Sequence, residues 1–116
     1  MQTSICKIEV LIGYAYLTKL TYILDHARTS IFISMYIWRM DSKDFGSAIY
    51  KLNSAIVRAK KRGVRVYTVT NSGDVVHSLR GQKIESFKYA GANCFHNKIV
   101  VVDSFYSFVG SHNFSN

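Results

Sequence analysis

A chain of 116 residues suffices for one domain with a modest core and leaves no room for a second. Apolar residues at 48% against charged residues at 19% exclude a disordered chain, and no apolar run is long enough for a membrane-spanning helix. Fifteen Lys and Arg against seven Asp and Glu leave a net charge of +8, which suits a polyanion: DNA, RNA or an anionic membrane surface.

In chain order, residues 6–12 are apolar and strand-like. The apolar stretch at 10–17 imitates the core of a secretion signal, but Glu9 abuts it and Tyr14 and Tyr16 interrupt it, so it reads as domain structure. Residues 14–28 carry Leu17, Leu20, Ile23, Leu24 and Ala27 at helical spacing. Residues 30–38, rich in β-branched and aromatic side chains, read as a buried strand. Asp44 can cap a helix that runs to Lys61 or Arg62 and stops at Gly63. Residues 64–70 alternate as a strand, 75–89 read as a helix ended by Ala90 and Gly91, and strands follow at 93–102 and 106–110. Strands alternating with helices predict an α/β domain with a mixed, largely parallel sheet flanked by helices.

The closing stretch carries the chemistry. It holds His96 and Lys98, Asp103 five residues later, then Gly110, Ser111 and Asn113. Phosphodiester cleavage needs a nucleophile, positive charge on the non-bridging oxygens and a proton for the leaving oxygen. An imidazole is largely neutral near pH 7 and can attack phosphorus. On a strand, His96 and Lys98 would project from one face, a nucleophilic nitrogen beside a fixed cation. Ser111 and Asn113 repeat the spacing and offer a hydroxyl and an amide, while Gly110 permits close backbone approach. His112, between them, is expected to face away as a packed or surface residue.

The string H-x-K-x4-D-x6-G-S-x-N strongly resembles the signature of the phospholipase D superfamily, because six residue types fall at its fixed offsets. The resemblance implies a phospholipase D-like half domain in which His96, Lys98 and Asp103 are the catalytic set, Asp103 mainly in a supporting role. It implies that Lys98, Ser111 and Asn113 bind the substrate phosphate. Relatives use two motif copies: one histidine forms a phosphohistidine, and the other protonates the leaving group and then activates water. Residues 1–116 hold one copy, since His26 and His77 lack the pattern, so a homodimeric site is expected. The family continues past the serine–asparagine segment with a helix and a strand that carry an Asn and a Glu; residues 1–116 are expected to lack these last elements.

The leading reading is a metal-independent nuclease without a cofactor, because lysines and amides neutralise the phosphate. The alternatives are a phospholipase or cardiolipin hydrolase at an anionic lipid surface, and a non-catalytic nucleic-acid-binding module. No amphipathic, Trp-rich interfacial helix supports the lipid reading. Lys60, Lys61, Arg62 and Arg65 form a candidate nucleic-acid contact, against the ordinary preference of basic residues for helix C-termini. Two distant cysteines, Cys6 and Cys94, imply no disulfide framework, and a cytoplasmic location is expected, with export left open because some relatives are exported.

Overall fold

The computed structural model describes residues 7–40, 43–89 and 96–115. Its elements run α1 (Tyr14–Asp25), β1 (Ser30–Met35), α2 (Ala48–Lys61), β2 (Arg65–Thr70), α3 (Gly73–Gly81), β3 (Glu85–Lys88), β4 (Lys98–Val102) and β5 (Tyr106–Val109). The five strands form one sheet in the order β3-β2-β1-β4-β5. The β1–β2 and β2–β3 pairs are parallel, whereas β1–β4 and β4–β5 are antiparallel. This is the α/β mixed sheet flanked by helices that the alternation of elements predicts, with two parallel and two antiparallel pairings rather than a largely parallel set.

Period-two alternation decides which face is buried. Ile31, Ile33 and Met35 of β1, Val66, Thr68 and Thr70 of β2, and Val100 and Val102 of β4 are all buried. The apolar residues among them join Leu17, Leu20, Ile23 and Leu24 of α1, Ile49, Leu52 and Ile56 of α2, and Val75 and Leu79 of α3 in one core. The polar residues on this face are satisfied in place: Thr68 and Ser86 share a hydroxyl–hydroxyl bond of 2.7 Å. The other face carries an aromatic row across three strands, Phe32, Tyr67 and Phe87, with centroid separations of 6.3 and 5.2 Å. Phe32 and Phe87 are exposed there.

Several boundaries differ from the sequence reading, each for a local reason. Ser47, not Asp44, caps α2: its hydroxyl accepts the Tyr50 N–H at 3.0 Å. Asp44 instead closes a short turn onto the Gly46 N–H. The helix expected over 75–89 is two elements, because the chain leaves α3 at Gly81 and Lys83 takes φ 62°, which starts β3. Residues 7–12 form no strand, and Ile8, Val10 and Ile12 are exposed; Cys6 lies outside the described residues. The strand expected over 93–102 begins at Lys98, with 93–95 outside the described residues.

Candidate active site

The register fixes where the motif lies. Lys98 opposes Met35, the last residue of β1, and Tyr36 donates its N–H to the Asn97 carbonyl at 2.8 Å. His96 and Lys98 therefore sit at the edge where the parallel strands β1, β2 and β3 end. In open α/β sheets this edge collects ligand sites, since loops there leave the strands and helices begin there. The N-terminus of α3, which follows Ser72, opens at the same edge just after β2, and its dipole adds positive potential. Lys88 closes β3 beside it, opposite Thr70.

His96 precedes β4 rather than lying within it, so strand alternation does not place it beside Lys98. A different contact does: Lys98 Nζ donates to the His96 carbonyl at 3.0 Å, folding the lysine back over the histidine's backbone. The His96 imidazole is exposed and stacks on Tyr36, with centroids 4.4 Å apart and planes 14° from parallel. Lys98 Nζ lies 5.4 Å from the centroid of that same ring. Among the described residues neither ring nitrogen of His96 has a hydrogen-bond partner. Both nitrogens are open to a substrate.

The second half of the motif returns to this edge. After β5, Asn113 Oδ1 accepts the Ile37 N–H at 3.1 Å, and backbone bonds Phe114 N–H to Ile37 O and Arg39 N–H to Phe114 O follow. The carboxamide oxygen of Asn113 is thus used in holding the segment to the end of β1, which leaves its two N–H donors for a phosphate. Phe114 is fully buried against Trp38, edge-to-face at 5.1 Å. Trp38 in turn donates from Nε1 to Asn53 Oδ1 at 2.8 Å, and Asn53 Nδ2 donates to the carbonyls of Arg39 and Met40. Ser111 is exposed on this anchored loop. His112 stacks on Tyr16 of α1 at 4.5 Å and 12°. Burial pushes the Tyr16 hydroxyl up to about 12, so it stays neutral beneath the loop.

Asp103 is not part of this grouping. It follows the far end of β4, about 17 Å from Lys98 at the usual rise per strand residue, and its N–H bonds the Ser30 carbonyl where β1 begins. Its carboxylate accepts the N–H groups of Arg28, Thr29 and Ser30 and the Thr29 hydroxyl. Partial burial pushes its proton affinity up, but these hydrogen bonds outweigh it and hold the carboxyl below its ordinary value. Asp103 and Ser104 both have positive φ, 57° and 54°, in the tight β4–β5 turn closed by Phe105 N–H to Val102 O. Placed among catalytic residues by the motif, Asp103 has a geometry that ties the α1–β1 loop to this hairpin and does not bring it to the histidine.

The basic cluster also lies at the far end. Arg65 opens β2 opposite Ser30, and Lys60 and Lys61 end α2 just before it. Arg62 is spent on the Leu24 and Ala27 carbonyls, and neighbouring Arg58 on a bidentate pair with Asp25. Lys60 and Lys61 line a shallow groove with Gln82 and Lys83. A polyanion held there reaches His96 only by running the length of the sheet, about 20 Å. Tyr36 is the site residue that sequence reasoning left aside: it stands in a strand-like aromatic run, and only pairing with β4 brings it to His96.

Among the described residues no three His, Cys, Asp or Glu side chains gather as a metal site requires, and no helix is long and apolar enough to cross a membrane. Residues 20–116 match the family model described as cardiolipin synthase, PLD-like domain. Among curated proteins no match is found. The fold is similar to that of Nuc from Salmonella typhimurium, a phospholipase D family member, with 26% identity and a TM-score of 0.69. That match covers 87% of this chain and 65% of Nuc, so the chain spans about two-thirds of the length of that relative. NucT from Helicobacter pylori is similar in fold, with 19% identity and a TM-score of 0.69 over 85% of this chain and 67% of that one. TrmBL2, an archaeal chromatin protein with a novel mode of DNA binding, shares the fold at 17% identity and a TM-score of 0.55, over 81% of this chain and 36% of its own. With the family model matched across most of its length and His96, Lys98 and Asn113 brought to one edge of the expected sheet, the chain belongs to the phospholipase D-like family.

Proposed function

We propose that the protein is a metal-independent phosphodiesterase of the nuclease kind, acting through His96. One observation carries this reading: an imidazole with both nitrogens open stands beside a lysine, with the Ser111–Asn113 loop tied to the same strand end. An imidazole nitrogen of His96 attacks phosphorus as the bond to the leaving oxygen breaks, giving a phosphohistidine. Lys98, the Ser111 hydroxyl and the Asn113 amide stabilise the charge on the non-bridging oxygens. His96 of a second copy, across a two-fold axis, gives its proton to the leaving oxygen, then takes one from the water that hydrolyses the phosphohistidine. Nucleic acid is the substrate favoured by the net charge of +8 and by the likeness to Nuc.

Labelled single- and double-stranded DNA and RNA, incubated in EDTA with the wild type and with His96→Ala, test the reading. Cleavage survives chelation in the wild type and disappears in the variant, while salt-sensitive binding persists in both. Activity lost in EDTA and restored by a divalent cation, or retained by His96→Ala, overturns it. Mixing the two proteins tests the shared site, because a heterodimer that cuts at the full wild-type rate is incompatible with it.

A further inference from the structure

We propose that Tyr36 is a positioning residue for His96, holding the imidazole by its face so that its attacking nitrogen stays available for chemistry; this rests on the phosphodiesterase reading above. A histidine that must attack phosphorus has to keep its ring orientation while its attacking nitrogen stays bare. Stacking meets that requirement, since it restrains the plane of the ring and leaves its edge bare. Among the described residues, Tyr36 is the aromatic ring stacked on the His96 imidazole.

The tyrosine is well placed to act as a reference surface, because the backbone is pinned on both sides of its side chain. Its own N–H is bonded to Asn97 O, one residue from the histidine, and the next N–H, of Ile37, is bonded to Asn113 Oδ1. Both halves of the motif are thus attached to the short stretch of backbone that carries this ring. The Tyr36 ring also draws the Lys98 ammonium to 5.4 Å from its centroid, so one aromatic side chain contacts nucleophile and cation together. When His96 attacks, positive charge develops on its ring, and the electron-rich face beneath stabilises that charge more than it stabilises the neutral imidazole. The contribution therefore appears in kcat rather than in KM.

The hydroxyl is not needed for this role; the aromatic face is. The test compares Tyr36→Phe with Tyr36→Leu, both bulky enough to fill the half-buried position, using bis(p-nitrophenyl) phosphate in EDTA. Tyr36→Phe keeps kcat within about twofold, whereas Tyr36→Leu loses about tenfold or more in kcat with KM little changed. Proton NMR of the His96 ring supplies a second readout: an upfield ring-current shift in the wild type and Tyr36→Phe that disappears in Tyr36→Leu. Equal kcat in the two variants, or a His96 signal indifferent to the substitution, overturns the proposal while leaving the phosphodiesterase reading intact. A wild type that cleaves no phosphodiester in EDTA overturns that reading and the proposal with it.

Discussion

The two ends of β4 carry residues of one motif in opposite chemical conditions. At the Lys98 end, the His96 imidazole stacks by its face on Tyr36 and, among the described residues, its nitrogens have no partner, while the lysine spends one donor on a backbone carbonyl. At the Asp103 end, the carboxylate collects three backbone N–H groups and a hydroxyl and has little capacity left. A polar group saturated by its own fold stabilises structure, and one left open is free to act on a substrate. Residues fixed together in a sequence pattern therefore need not share a task.

Substitution at the open end is expected to have the largest effect. Lys98→Ala should lower kcat by about 10²–10³-fold, the usual cost of removing one charge-stabilising donor, with the thermal midpoint nearly unchanged. A large loss of stability with normal kcat in the folded fraction would exchange the roles of the two ends. Asp103→Asn makes the opposite forecast: a loss of about 1–2 kcal/mol at neutral pH from weakened charge-assisted bonds, measured by denaturant unfolding, and unchanged kcat. The sign of its pH dependence follows from the lowered carboxyl. The stabilisation is complete above the unfolded value of about 3.9 and is lost as pH falls through the lower folded value, so the variant should show a flatter acid limb. A drop in kcat at unchanged stability would instead put Asp103 into the chemistry.

The smallest expected effect belongs to the basic cluster at the Asp103 end. Replacing Lys60 and Lys61 with alanine should reduce the log–log salt slope of nucleic-acid binding by about one to two, with kcat on a short phosphodiester untouched. If the slope does not move, polyanion contact is confined to the His96 edge.

Much of this arrangement was legible in the residues, and the exceptions have local physical causes. The periodicity of Leu17, Leu20, Ile23 and Leu24 located α1, because a one-sided apolar stripe has few other uses. The break between α3 and β3 was hidden because Val75, Val76 and Leu79 set a helical rhythm that Ile84 prolongs, while the chain turns at Lys83 through a positive φ no pattern announces. The motif gave His96 and Lys98 their positions in sequence. It did not give their relation to Tyr36 or to the Ile37 backbone, which depends on antiparallel pairing across most of the chain. The split between Asp103 and the histidine likewise follows from strand length, not from residue type.

That long-range pairing has a consequence for how the site comes into being. Asn113 meets Ile37 across 76 positions, and Asp103 meets Arg28 across 75. Closing such wide loops is slow, because chain entropy is lost before any contact compensates for it. During synthesis the helical half, with its own parallel strand pair, emerges and can fold first. His96 is delivered afterwards, when β4 docks antiparallel onto a β1 already in place. On the function proposed above, the chain gains its phosphodiesterase site only once residues 96–115 have docked, a built-in delay between making this part of the polypeptide and arming it.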